Sequence, residues 1–135
     1  MRLSNMADYA VLTMSAAARH CGGARVAAAQ LAEETGLPVP TVQKLVSRLT
    51  SAGLLRSSRG VGGGLKLARP AAAITLADIV EAVEGPIGIA PCCDDSHDCT
   101  RESGCSVRPH WADASVALRG ALSAVPLTRL AETAR

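Results

Sequence analysis

The sequence predicts a mainly α fold with one small two-stranded hairpin and a long C-terminal helix. Three observations carry that expectation. Ala, the best helix former, supplies 25 of 135 residues. Apolar residues recur at helical spacing through most of the chain, and only Leu54–Ser58 and Leu65–Ala68 read as short strands, on either side of a glycine-rich tip. The length suits one domain with an appended arm rather than two lobes around a cleft. With so much Ala, one Trp, one Tyr and no Phe, the core must be thin. Recognition by rows of stacked aromatic rings is excluded, and burial is expected to be completed by dimerisation.

The first helix starts at Asn5, carries Tyr9, Leu12 and Ala16 on one stripe, and is expected to stop at Gly22-Gly23. A short second helix, Ala27–Glu34, ends at Thr35-Gly36-Leu37-Pro38. Pro40 then opens a third helix, in which Val42, Leu45, Val46 and Leu49 form the apolar stripe before Gly53. Thr41, Gln43, Lys44, Ser47 and Arg48 are left on its outer face. Two helices around a short Gly-containing turn, the second presenting polar and basic groups, fit a helix-turn-helix; an ordinary α-hairpin would fit equally well on this stretch alone. The hairpin that follows decides between them. Arg59-Gly60-Val61-Gly62-Gly63-Gly64 joins its two strands, a basic residue and a tip open enough to approach phosphate. A nucleotide-cradling loop would need a Lys-Ser/Thr ending and a following helix, and has neither here. The expectation is therefore a winged helix-turn-helix. A fourth helix, Ile74–Val83, is capped near Thr75, closed by Gly85-Pro86 and expected to pack under the wing. Residues 86–106 read as a loop. Trp111, Ala114, Leu118, Ala121 or Leu122, and Val125 stripe a long helix from Val107, the candidate dimer seam, and 126–132 a last short one. The expected organisation is a head at 1–85, a cysteine loop at 86–106, and a dimerisation helix with tail at 107–135.

The formal net charge of +2 hides a split. Residues 1–69 hold nine Lys and Arg against three Asp and Glu, and residues 70–135 five against nine. A basic head and an acidic remainder suit a polyanion bound by the first half, double-stranded DNA above all. There is no apolar run long enough to span a bilayer, and the opening residues lack a hydrophobic signal core, so a cytoplasmic protein is expected. His20, His97 and His110 form no readable constellation with a nucleophile, so neither an enzyme nor a small-molecule substrate is expected.

Four of the five Cys crowd into residues 92–105: Cys93, Cys99 and Cys105, separated by five residues each time, with Cys92 beside the first. In a reducing compartment such thiols read as metal ligands or redox groups rather than staples. Zinc ribbons favour ligands two residues apart, which are absent, so the spacing leans towards an iron-sulfur cluster. A thiol switch is the runner-up, since Arg101 and Arg108 would lower a thiol pKa while Asp94, Asp95 and Asp98 would oppose them. Cys21 reads as a structural thiol. An electron carrier would want a fourth dedicated Cys and would leave the basic head unexplained.

These features resemble a known family over nearly the whole chain. Asp8-Tyr9-Ala10-Val11, Ser47-Arg48-Leu49 with Ala52-Gly53-Leu54, the wing Arg59-Gly60 with Gly62-Gly63-Gly64, the segment Ile74–Gly85 and the three-Cys loop are similar to the iron-sulfur transcription regulators that include IscR, NsrR and RirA. The SUF-operon regulators resemble it most, through Asp8-Tyr9-Ala10 and Val83-Glu84-Gly85-Pro86. The resemblance implies a homodimer that binds a palindromic operator, with Thr41, Gln43 and Lys44 at the major groove, Arg59 at the minor groove, and Arg48 and Gly60 as further DNA-binding residues. It implies an iron-sulfur cluster on Cys93, Cys99 and Cys105, and repression of cluster-assembly genes; iron- or nitric-oxide-responsive control belongs to the same family. The His that some members use three residues after the last Cys is Arg108 here. Asp8, given by the partner subunit as in NsrR-like members, is the substitute fourth ligand, with Cys92, His97 and His110 as alternatives; a carboxylate at a helix N-terminus also has a purely dipolar use.

Overall fold

The computed structural model describes residues 2–20, 25–93, 99–100 and 102–133. Cys21, the Gly22-Gly23 stop, Asp94, Asp95, His97, Asp98 and Arg101 lie outside the described residues. The elements run α1 (Asn5–Arg19), α2 (Ala28–Thr35), α3 (Val39–Ser51), β1 (Leu55–Ser58), β2 (Gly64–Leu67), α4 (Leu76–Glu84), α5 (Arg108–Ser123) and α6 (Leu127–Thr133). Short 3-10 turns lie at Ala71–Ala73, Pro91–Cys93 and Glu102–Gly104. This is the expected mainly α winged helix-turn-helix, its two strands pairing antiparallel from Leu55 opposite Leu67 to Ser58 opposite Gly64.

The core is built around α1. Ser4 caps it, its hydroxyl accepting from the Ala7 amide, and residues 13–18 are buried without interruption. An amphipathic surface helix buries one stripe; this one is enclosed because α2, α3, α4, α6 and β2 all lie against it. Its side chains explain how. Ala7, Ala10, Ala16, Ala17 and Ala18 let neighbouring backbones approach, while Met14 fills the remaining gap. Thr13 and Ser15 are tolerated inside because their hydroxyls donate to the carbonyls of Tyr9 and Val11, each at 2.8 Å.

Leu31, Val42, Leu45, Leu49, Leu54, Leu55, Leu65, Ile74 and Ile79 complete this core, every one 5% exposed or less. The fourth helix departs from expectation: α4 packs chiefly against α1, α5 and α3 rather than under the wing. Its start is locked by a reciprocal cap, Thr75 Oγ1 accepting from the Asp78 amide at 3.2 Å and Asp78 from the Thr75 amide at 2.9 Å.

The last short helix is also part of this body. Leu76 donates to the Val125 carbonyl and Leu127 to that of Ile74, both at 2.8 Å, and Leu127 is fully buried. The preceding helix, α5, therefore lies on α4, the residues after it are held at the start of α4, and α6 lies against α1. Its stripe divides: Ala114, Leu118 and Leu122 are half-buried, whereas Trp111 is 44% exposed, and Val116, off the stripe, is 72% exposed. Because α1 has no room for a larger side chain, Ala16→Leu should cost about 1–3 kcal/mol. Urea unfolding monitored by circular dichroism checks this, and an unchanged midpoint would show that α1 packs more loosely than described.

Candidate nucleic-acid interface and cysteine loop

The candidate nucleic-acid surface is the exposed side of α3 and the tip of the wing. With Val42, Leu45 and Leu49 fully buried, helical geometry turns Gln43, Lys44 and Arg48 outward, and all three are exposed. Thr41 is half-buried at the start of the helix. Arg48 is engaged elsewhere: its guanidinium donates to the Val83 carbonyl at 3.5 Å, bracing α3 against the end of α4. Gln43 and Lys44 are thus exposed polar side chains of this face without a side-chain partner among the described residues, with Thr41 beside them.

Arg59 and Gly60 lie exposed beyond the end of β1. The tip closes through the Gly63 amide donating to the Gly60 carbonyl at 2.9 Å. A Cβ at Gly63 would stand 2.5 Å from the Ser58 carbonyl oxygen, so the turn needs glycine there. Val61, fully exposed, forms the outermost apolar group.

The cysteines sit on the opposite part of the chain order, between α4 and α5. Cys92 and Cys93 share the turn Pro91–Cys93, with their sulfurs 3.9 Å apart. Both are half-buried, as are Cys99 and Cys105. Partial desolvation, then the hydrogen bond to Cys93 and its charge, push the Cys92 thiol pKa up, with a further contribution from the charge of Cys99. Among the described residues no three His, Cys, Asp or Glu side chains converge tightly enough to hold a metal ion. Asp8 is exposed on the first turn of α1; its amide donates to the Ser4 carbonyl at 3.2 Å, and its carboxylate makes no hydrogen bond or ion pair among the described residues.

What leads into the cysteines is well anchored. Glu81 of α4 accepts from the Ile87 amide at 3.3 Å through one oxygen and from Arg119 of α5 at 2.9 Å through the other. Buried Ser115 accepts from the Ile89 amide at 3.1 Å. Sequence reading overlooked Glu81, Arg119 and Ser115. Glu81 and Arg119 look like ordinary surface charges until α4 and α5 are seen side by side.

Comparison with known proteins agrees with this architecture. The Rrf2 family model, described as an iron-dependent transcriptional regulator, matches residues 3–133. The chain is 33% identical over 130 residues to the HTH-type transcriptional regulator IscR of Photorhabdus laumondii, covering 96% of this chain and 79% of that protein. Among solved structures, CymR (YrzC), the global cysteine regulator of B. subtilis, superposes with a TM-score of 0.76 at 28% identity, covering 98% of this chain and 97% of that one. T. potens IscR superposes with a TM-score of 0.74 at 27% identity, covering 100% and 89%. These relatives are regulators of transcription, not enzymes, and no helix among the described residues is long and apolar enough to cross a membrane. A basic reading helix, a glycine-tipped wing and a match along almost the full length together place the chain in the Rrf2 family of transcriptional regulators.

Proposed function

We propose that this regulator is a homodimeric, iron-sulfur-responsive repressor of cluster-assembly genes, each subunit reading half of a palindromic operator. The observation that carries this reading is the Glu81 anchor. It ties the backbone entering the cysteine loop to α4 and α5, and α4 in turn braces the reading helix through Val83 and Arg48. A change in loop order therefore has a short packed route to Gln43 and Lys44.

The donor set suits the cofactor: three thiols on one loop, Cys93, Cys99 and Cys105, are soft ligands of the kind iron-sulfur clusters take. Asp8 of the partner subunit is the proposed fourth ligand, and a carboxylate exposed and without a hydrogen bond or ion pair among the described residues supports that role. A bound cluster would supply a centre whose oxidation, nitrosylation or loss of iron alters how the loop is held. The chain's own residues then do the coupling. A difference of about 1–3 kcal/mol between loop states is enough to change operator affinity roughly 5- to 150-fold. The exposed side of α5, with Trp111 and Val116, supports α5 as the dimer seam. Thr41, Gln43 and Lys44 are the proposed major-groove contacts, with Arg48 flanking them, and Arg59 and Gly60 the minor-groove contacts. A thiol switch on the same scaffold is the second reading, favoured by the 3.9 Å approach of the Cys92 and Cys93 sulfurs.

Anaerobic purification followed by visible absorption, iron and sulfide analysis, and duplex titration of holo and apo forms tests the proposal. A brown dimer whose DNA affinity changes on cluster removal is the expected result; colourless protein that cannot be reconstituted would transfer the sensing role to the thiols. Asp8→Ala is expected to shorten cluster lifetime several-fold while leaving apo unfolding unchanged, and an unaltered lifetime would remove Asp8 from the ligand set. On DNA, Lys44→Ala should weaken binding to all sequences and lower the salt slope by about 1, whereas Gln43→Ala should cost about 1–3 kcal/mol at one base pair. Gly63→Ala, which drives a Cβ into the Ser58 carbonyl, should reduce duplex affinity with little shift in thermal midpoint; a gel-shift titration beside a melting curve measures both.

A further inference from the structure

The two faces of the wing differ sharply. Leu55, Leu65 and Leu67 point inward, and Arg56, Ser58 and Lys66 outward. The register sets Arg56 directly opposite Lys66. Like charges in that position repel, and neither has a carboxylate partner among the described residues. A third cation arrives from outside the hairpin. Val26 and Leu65 exchange backbone hydrogen bonds of 2.9 and 2.7 Å, so the chain at 25–26 runs alongside β2. Gly64 permits this approach: at φ 141° it bears no Cβ, and one added there would lie 3.0 Å from the Val26 carbonyl oxygen and 3.2 Å from Arg25 Cβ. Arg25 then reaches over the outer face and donates to Ser58.

Arg69 closes the far side. Its nearest carboxylate oxygen, Asp78 Oδ2 at 3.7 Å, already accepts from the Thr75 amide. These four cations line an open groove of about 700 Å³ at the base of the wing, with no Asp or Glu among its lining residues. Thr50, at the end of α3, lines it too, and its hydroxyl oxygen is buried without a hydrogen-bond partner among the described residues. A buried hydroxyl left unsatisfied is costly. Thr50 follows Thr41 by nine positions, about 13 Å along the helix, so the groove lies well behind the reading turn.

We propose that this groove is a separate oxyanion site that holds a phosphoryl group between Arg25, Arg56 and Lys66. A multiply charged oxyanion relieves the Arg56–Lys66 repulsion. Guanidinium forks match phosphate oxygens in pairs, which favours phosphate over a lone carboxylate. The phosphoryl group has two sources. One is the backbone of a duplex passing the wing, which rests on the DNA-binding reading; the other is a small free phosphorylated anion, which does not.

The test compares the intact chain with Arg56→Gln/Lys66→Gln and with Arg25→Gln. Binding of a mixed-sequence duplex is measured over a range of salt concentrations, and binding of inorganic pyrophosphate by calorimetry without DNA. If the source is duplex backbone, the double variant lowers the salt slope by about 1–2, and Arg25→Gln lowers it by about 1. If the source is a free anion, pyrophosphate binds the parent chain saturably, both variants lose it, and the salt slope is unchanged. An unchanged salt slope together with no pyrophosphate binding would overturn the proposal. A parent chain that binds no duplex at all would instead count against the regulator reading, and the pyrophosphate arm would still decide the groove.

Discussion

The close approach of helices around α1 is the constraint on which the rest of the molecule depends. A chain with almost no aromatic mass cannot fill wide gaps between elements, so it must bring backbones together. Ala at five buried positions of α1, with Thr13 and Ser15 satisfied by their own helix, makes that possible. Dispersion contacts accumulate only when surfaces meet at van der Waals distance. Once α1 is enclosed, the placement of α3, the wing and α6 follows. Gln43 and Lys44 are exposed because Leu45 and Leu49 are taken up by this core.

The second organising feature is the junction between α4 and α5. Glu81 is a single carboxylate serving two segments, Arg119 on one side and the Ile87 amide on the other. Exposed ion pairs contribute little to stability, and Arg119 is half exposed. The importance of this one is directional: it fixes where the cysteine-bearing segment leaves the head. Ser115 repeats the device from α5 through Ile89. A loop attached in this way is joined to the head through packed elements rather than through a free linker, which is the physical content of the proposed coupling.

Much of this was legible residue by residue. The start of α4 was marked by the capping side chain of Thr75, the turn between α2 and α3 by Gly36 and Pro38, and the wing by its glycines. The candidate ligands stood out because four thiols in one polar loop have no packing explanation. Arg48, by contrast, was grouped with the outer face of α3, and its contact with the Val83 carbonyl joins positions 35 apart. Periodicity reports which side of a helix a residue occupies, not which neighbour takes it.

Local chemistry along the chain therefore determined the elements, the basic reading surface and the thiol loop, because propensity, capping and turn geometry act over a few residues. Tertiary structure alone decided that α4 lies on α1 and α5 instead of beneath the wing, and that α6 returns to seal the head. It also decided that Arg25 stands beside Arg56 and Lys66, 31 and 41 positions away along the chain. Such juxtapositions arise from burying a thin core that many elements must share, and no window of sequence contains that requirement.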